Sequence, residues 1–246
     1  MRFHAVYWPA FLMAAGLAPP KRVFAHGWWT VEGQKMSKSL GNVIDPVSLV
    51  ATWGLDPVRF FLLREVPFGN DGDFSRAAIA RRLNVDLAND FGNLAQRTLA
   101  FVNRNAGAVV PTPGAPAEDD RALLQAAADL LATVRAALDR QAFHEALEAI
   151  WAVVRAANSY IDRQAPWALR RTDPARMASV LWTLLEVIRQ LGILVSPFMP
   201  ASMGRLLDQL GQGAGARDIA ALATPLRPGL VLPVPVPLFA KVAEAA

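Results

Sequence analysis

Residues 33–46 read Gly-Gln-Lys-Met-Ser-Lys-Ser-Leu-Gly-Asn-Val-Ile-Asp-Pro, and this stretch decides how the whole chain is interpreted. Lys35 and Lys38 lie three positions apart, two serine hydroxyls are interleaved with them, and Gly33 introduces the run. This pattern suits a mobile loop that closes on phosphate groups, because ammonium groups stabilise developing negative charge and hydroxyls donate further hydrogen bonds. The alternative is an ordinary solvated turn with two lysines.

The block resembles the second signature loop of the class I aminoacyl-tRNA synthetases, and the attached Leu-Gly-Asn-Val-Ile-Asp-Pro fits the same family. The resemblance implies that ATP is a substrate. It makes Lys35 and Lys38 catalytic residues that stabilise charge on the α-phosphate while a carboxylate attacks and pyrophosphate departs. The residues that it assigns to ATP binding are Lys35, Met36, Ser37, Lys38 and Ser39. Mg²⁺ is expected to accompany ATP, and the absence of cysteine excludes a thiolate metal site in this chain.

Residues 2–12 resemble the segment of methionyl-tRNA synthetase that supplies one wall of the methionine pocket. The resemblance implies that Trp8 contacts the side chain of L-methionine and that His4 lies beside it. A polarisable thioether packs well on an aromatic face, which agrees with this assignment. The alternative is a helix that packs its aromatic residues into a core, namely Phe3, Tyr7, Trp8 and Phe11.

Two later segments resemble the anticodon-reading elements of the same family. These segments are Asn93-Leu94-Ala95-Gln96-Arg97 and Gln164-Ala165-Pro166-Trp167. Asn93 and Arg97 are four positions apart and therefore project from one face of a helix. The resemblance implies that Asn93, Arg97, Pro166 and Trp167 bind the anticodon of tRNA(Met). Trp167 would stack on a base while Asn93 and Arg97 bond base edges, as proteins do when they read single-stranded RNA loops. Taken singly, Trp167 suits a core, and Asn93 and Arg97 suit a solvated surface.

The predicted fold is α/β plus all-α. Residues 1–74 are expected to form the C-terminal remnant of a Rossmann-type nucleotide-binding fold, with the signature loop and a stem-contact region. An antiparallel helical bundle follows at 75–229 as the anticodon-binding domain, and 230–246 form an extended tail that packs back on the body. A strand over 22–31 is predicted to lead into the loop, with Trp28 and Trp29 in the core.

The helix pattern is predicted from capping signals and apolar periodicity. Asp45-Pro46 and Asp56-Pro57 each place a capping carboxylate before a proline at the first helical position, so each predicts a helix start. A loop covers 67–75. Longer helices are predicted over 2–16, 75–105, 118–140, 142–163 and 174–195, and a further one reaches Gly211.

The chain has no His-x-Gly-His signature among its three histidines, although the first half of a class I catalytic fold carries one. The resemblance therefore covers only the C-terminal part of a synthetase. An N-terminal half is a possible partner, and the chain alone is expected not to form the adenylate. Two alternatives remain open. One is a noncatalytic tRNA-anticodon-binding module or subunit of a split synthetase, and the other is a valine or isoleucine enzyme.

Composition limits the partners further. The chain has 25 Lys+Arg against 21 Asp+Glu, a net charge of +4 and a pI of about 9.9, which mildly favours a polyanion. It lacks the arginine-rich runs of a nonspecific binder. Residues 1–18 superficially resemble a secretory signal, but Pro9 interrupts the apolar run. Charged and polar residues also break the apolar stretch 180–195. A cytoplasmic protein without a membrane partner is expected.

Overall fold

A small mixed sheet lies near the start of the chain in the computed structural model, which describes residues 1–243. Its strands are β1 (Trp29–Val31), β2 (Gln34–Lys35) and β3 (Gly72–Phe74), in the order β2-β1-β3. β1 pairs antiparallel with β2 and parallel with β3. The predicted strand over 22–31 thus forms only at its last three residues. The predicted loop at 67–75 contains β3, a strand that the residue pattern did not predict.

Tertiary contacts explain why β3 forms from residues that disfavour strands. The Asp73 carboxylate accepts hydrogen bonds from the Thr30 hydroxyl (2.5 Å) and from the Gly33 amide (2.8 Å), so it joins β3 to β1 and to the hairpin turn. At Gly72 the backbone passes close to its neighbours, since a Cβ there would lie 2.7 Å from the Val66 side chain. Glycine is therefore required in this strand by close approach rather than by turn formation.

Two helices connect the sheet to the rest of the chain, α2 (Pro46–Trp53) and α3 (Leu55–Arg64). As predicted, Asp45 caps α2, because its carboxylate accepts from the Val47 and Ser48 amides at 3.2 and 3.0 Å. The predicted start of α3 at Asp56 is wrong, since Leu55 already belongs to the helix. The Asp56 carboxylate is buried. It accepts a hydrogen bond at 2.5 Å from the amide of Ser202, which lies in the first turn of a later helix.

The remaining helices form the predicted antiparallel bundle. A shorter helix, α1 (Trp8–Ala14), precedes the sheet and continues a π-helical turn, Phe3–Tyr7. The bundle consists of α4 (Arg76–Arg82), α5 (Asn93–Asn105), α6 (Glu118–Ala128), α7 (Leu130–Asp139), α8 (Phe143–Gln164), α9 (Pro166–Thr172), α10 (Pro174–Val195) and α11 (Pro200–Gln209). A π-helical stretch, Leu83–Gly92, links α4 to α5, so the predicted helix over 75–105 is continuous. The predicted helix over 118–140 is wrong as a single element, because a turn at Asp129 divides it.

The main core joins the connecting helices to the bundle. Trp151 of α8 is fully buried, its ring centroid lies 4.7 Å from that of Phe60 and 5.9 Å from that of Phe91, and its indole donates to the Asp86 carbonyl. Arg59 of α3 donates to two backbone carbonyls in the turn between α10 and α11. These contacts hold the sheet region and the bundle in one arrangement.

Helix α10 is long and apolar enough to cross a membrane by length and composition alone. However, 83% of its most apolar window is buried inside the protein, as in the central helix of a bundle.

The tail packs back on the body over its described residues, as predicted. The Leu232 amide donates to the Ala108 carbonyl at 2.7 Å, and the Val242 amide donates to the Asn84 side chain at 2.9 Å. Residues 244–246 of the predicted tail lie outside the described part of the chain. The predicted domain boundaries after 74 and after 229 stay predictions.

Candidate functional site

The signature loop begins as a tight hairpin between β1 and β2. Glu32 and Gly33 form its two-residue turn with φ of +50° and +74°. Positive φ at both central residues is the geometry of the turns that match the twist of paired strands. Hydrogen bonds from the Thr30 hydroxyl and the Gly33 amide lower the pKa of Asp73, so that carboxylate remains charged and braces the turn.

The loop then closes through Asn42, a residue for which the sequence predicted no role. Its side-chain oxygen accepts from the Ser37 amide at 2.8 Å, and its side-chain nitrogen donates to the Lys35 carbonyl at 3.1 Å. Ser37 caps a single 3₁₀ turn, Lys38–Leu40, and Gly41 ends that turn in the left-handed region. The two lysines are therefore presented from a backbone that one amide side chain clamps. The position of Asn42, five residues after Ser37, was the only sequence feature that could have indicated this contact.

The predicted phosphate-binding side chains point to solvent. Lys35, Lys38 and Ser39 are exposed, and Met36 and Ser37 are half-buried. Within the described residues no carboxylate pairs with either lysine. The hydroxyls of Ser37 and Ser39 lie 2.8 Å apart and share one hydrogen bond, which leaves one hydroxyl proton for an external acceptor. This arrangement can receive an anion.

A cavity of about 770 Å³ lies beside the lysines. Its walls include His26, Trp28, Trp29, Met36 and Val43. The prediction that both tryptophans pack in the core is wrong for Trp28, whose side chain is 82% exposed. Trp29 is half-buried and packs against Phe61. An aromatic cavity next to two ammonium groups can hold a planar base joined to phosphates.

His4 and Trp8 lie one helical turn apart on the predicted N-terminal helix. Their ring centroids are 6.5 Å apart and the rings meet edge to face. Both side chains are exposed, and no residue of this helix is buried. The alternative that its aromatic residues pack into a core is therefore wrong for this chain.

The structure brings Arg97, Pro166 and Trp167 together in the bundle. The Arg97 guanidinium carbon lies 5.7 Å from the centroid of the Trp167 ring, and its Nη2 donates to the Asp162 carboxylate at 2.7 Å. All three line a cavity of about 490 Å³ between α5 and the junction of α8 with α9. Asn93 is exposed one turn before Arg97 and does not line that cavity.

Trp167 owes its exposure to an abrupt change of direction after α8. Ala165 adopts a left-handed conformation, with φ +43° and ψ +62°, and Pro166 then starts α9. Pro166 is buried, whereas 49% of Trp167 is exposed. The predicted exposure of Trp167 is confirmed, although a new helix begins at the proline itself.

The sequence did not predict the other side chains around this cavity. Phe101 and Arg104 follow Arg97 by four and seven positions, a spacing that places them on its face of the helix. Arg170 of α9 donates to the Asn105 side chain at 2.5 Å and bridges the two walls. The spacing of four and seven positions from Arg97 could have predicted that Phe101 and Arg104 face the same cavity. The cavity thus combines aromatic faces with arginine, which suits an unpaired nucleotide.

Comparisons with known proteins show the family of the chain. A family model described as class I tRNA synthetases (M) matches residues 1–99, and one described as the anticodon binding domain of methionyl tRNA ligase matches 110–246. Methionine–tRNA ligase of Brucella melitensis is 57% identical over 99% of this chain, and that of Mycobacterium leprae is 53% identical over 97%. The chain covers 48% and 45% of those relatives, so it spans about half their length.

Solved structures of Mycobacterium tuberculosis methionyl-tRNA synthetase have the same fold. The complex with methionyl-adenylate superimposes with a TM-score of 0.94 at 52% identity and covers 97% of this chain and 48% of that one. The apo form gives 0.92 at 48% identity and covers 99% and 48%. This likeness confirms the predicted fold class, a Rossmann-type remnant followed by a helical anticodon-binding domain. The chain belongs to the methionyl-tRNA synthetase family.

Proposed function

We propose that this chain acts in methionine–tRNA ligation, in which ATP, L-methionine and tRNA(Met) give methionyl-tRNA, AMP and pyrophosphate. In this reaction the chain supplies the signature loop, residues 35–39. It also supplies the anticodon reader, which consists of Asn93, Arg97, Pro166 and Trp167. The observation that carries the proposal is the single cavity lined by Arg97, Pro166 and Trp167, the residues that the family resemblance assigned to the anticodon. Since ATP and tRNA meet in the cytoplasm, we also propose that compartment.

In the proposed reader, an unpaired base stacks on the exposed face of Trp167. Asp162 takes one N–H of Arg97, so the remaining guanidinium donors can reach a base edge. Asn93 lies one turn away on the same helix and supplies both a donor and an acceptor to the neighbouring nucleotide. Pro166 holds the indole outward by starting α9 at the junction.

In the proposed adenylation step, a carboxylate oxygen of methionine attacks the α-phosphorus of ATP and the bond to the bridging oxygen of pyrophosphate breaks. Lys35 and Lys38 stabilise the charge on the phosphate oxygens, and the free serine hydroxyl of the loop donates to one of them. Asn42 keeps the loop backbone folded during this step. Trp8 and His4 hold the thioether side chain of methionine.

Mg²⁺ enters this proposal only with ATP. Within residues 1–243 no group of three or more His, Asp or Glu side chains is placed together to hold a metal ion. Two carboxylates that flank the loop, Asp45 and Asp73, are occupied by hydrogen bonds that lower their pKa values.

RNA binding tests the reader directly. The purified chain is titrated with tRNA transcripts that carry the CAU or the GAU anticodon, at two salt concentrations. The native chain should prefer CAU at both salts. Trp167→Ala should lose about 5-fold to 150-fold in affinity, since base stacking on an aromatic residue contributes about 1–3 kcal/mol. Trp28→Ala is the matched control, because it also removes an exposed indole but lies outside the bundle. Equal, strongly salt-dependent binding of both transcripts would mean attraction to phosphate alone.

Pyrophosphate exchange tests the catalytic part. Because the chain covers about half of its relatives, we propose that adenylation needs a second, N-terminal half as partner. The pure chain should show no methionine-dependent exchange, and the chain joined to such a half should show it. Lys38→Ala in that joined enzyme should lower exchange without changing anticodon preference. Exchange by the chain alone would contradict the proposal. If RNA discrimination persists but no combination catalyses exchange, the chain is a noncatalytic anticodon-binding module.

A further inference from the structure

Trp167 sits on α9, a helix of seven residues, yet no side chain caps the junction that orients it. Ala165 occupies the left-handed region, and a non-glycine residue keeps that conformation only where the surrounding structure supports it, so contacts beyond Pro166 are needed to hold this direction. A buried polar network lies at this point of the bundle.

The centre of the network is Asp120 of α6, which is fully buried. Its carboxylate accepts from the Tyr160 hydroxyl at 2.6 Å, from the Ala117 amide at 3.0 Å and from both terminal nitrogens of Arg176, with Nη2 at 2.7 Å. Three helices therefore meet at one carboxylate. Burial opposes the charge, but hydrogen bonds from Arg176 and Tyr160 outweigh it and lower the pKa of Asp120.

Arg176 extends the network to both ends of α9. Its Nη2 also donates to the side-chain oxygen of Gln164, the residue just before the junction, at 2.7 Å. The Gln164 nitrogen in turn donates to Asp119 at 2.8 Å. The backbone amide of Arg176 donates to Asp173, the residue after α9, at 2.9 Å. The Arg176 side chain therefore ties down the entrance of the helix that carries Trp167, and the backbone amide of Arg176 holds Asp173 at its exit.

We propose that Arg176, Asp120 and Gln164 are positioning residues that aim Trp167 at the anticodon base, a role that rests on the proposed function. None of the three lines the cavity. They act on the RNA through Trp167 and Pro166. Because an arginine fork bonded to a buried carboxylate has a fixed geometry, the indole is held ready before RNA arrives.

The test uses the 246-residue chain labelled with 5-fluorotryptophan. Its seven tryptophans give distinct ¹⁹F resonances, and Trp167→Phe identifies the resonance of interest. The test variants are Arg176→Lys and Gln164→Ala. Arg189→Lys is the matched control, since Arg189 is also on α10 and is also bonded to a buried carboxylate, but it contacts the segment near Ala221 instead.

Both test variants should shift or broaden the Trp167 resonance in the free chain. They should also weaken binding of CAU transcripts about tenfold, or about 1.4 kcal/mol, and reduce the preference over GAU. Arg189→Lys should leave the Trp167 resonance and the preference as in the native chain. A native resonance and native preference in both test variants would overturn the proposal, and so would equal losses in the control.

The two proposals fail in different ways. If the native chain does not distinguish CAU from GAU, the proposed anticodon reader is wrong, while the ¹⁹F spectrum still decides whether the network positions Trp167. If the native chain discriminates and the test variants do so equally well, only the positioning role is wrong.

Discussion

The buried ion pair between Glu186 and Arg189 on α10 predicts a large and specific loss of stability. The two side chains are 3% and 1% exposed, and Arg189 donates to both carboxylate oxygens at 2.7 and 2.8 Å. Arg189→Met would leave the Glu186 charge buried without its cation. Removing one partner of a buried pair costs about 3–5 kcal/mol.

The structure places the expected value near the lower end of that range. Glu186 would keep its hydrogen bonds from the Leu226 amide and from the Gln190 side chain, at 2.8 and 2.7 Å. These remaining donors stabilise the lone carboxylate, so we expect a loss of about 3 kcal/mol in the free energy of unfolding. The segment that Arg189 holds through the Ala221 carbonyl should also exchange its amide hydrogens faster.

Urea denaturation at neutral pH measures this loss, and the double variant Glu186→Leu with Arg189→Met is the decisive control. It removes both charges and leaves the Leu226 amide without its acceptor, which costs about 1–3 kcal/mol. The double variant should therefore be at least as stable as Arg189→Met alone. A single variant that loses less than about 1 kcal/mol, or a double variant clearly less stable than the single one, would refute the reasoning.

Three further predictions concern the loop, acid stability and the α8–α9 junction. Asn42→Ala removes the two hydrogen bonds that close the signature loop, so hydrogen exchange at the Ser37 amide should rise about tenfold, as expected for the loss of about 1.4 kcal/mol from those bonds. The pKa of Asp120 is lowered in the folded chain, so its charged form stabilises the fold above the pKa of an unfolded carboxyl group. This stabilisation is lost as the pH falls through the lower pKa of the folded state. Asp120→Asn should therefore flatten the decline of the urea midpoint between pH 5 and 2, roughly the range of carboxyl titration. Ala165→Gly relieves a left-handed alanine and should raise the free energy of unfolding by about 0.5–1 kcal/mol in urea titrations, and a lower value than that of the native chain would contradict this prediction.

Residue order was enough to predict the elements that depend on neighbours within a few positions. Asp45 predicted the start of α2, and the apolar periodicity predicted α8 and α10 to within a residue or two. The spacing of Asn93 and Arg97 also placed them on one helix face. Such features follow from capping, from helical period and from proline geometry, which act locally and are therefore visible in the order of residues.

Features that join distant positions depend on how the helices and strands pack. β3 forms because Asp73 bonds to Thr30 and Gly33, about forty residues earlier in the chain. Asp56, which reads as a cap for its own helix, instead accepts from Ser202, 146 positions away. No local propensity distinguishes these partners from others, since the energy comes from burying and satisfying polar groups that meet only after the helices pack.

In both candidate sites, some residues could be named from the sequence and others could not. The lysines of the signature loop and the tryptophan after Pro166 could be named from the sequence, because motif and family resemblance identify residue types in order. Asn42 as the clamp of the loop, Trp28 as an exposed wall and Arg176 as the tie across α9 could not be named. Their roles depend on which groups the fold leaves within hydrogen-bond distance, or outside the core, and that is settled by packing rather than by residue order.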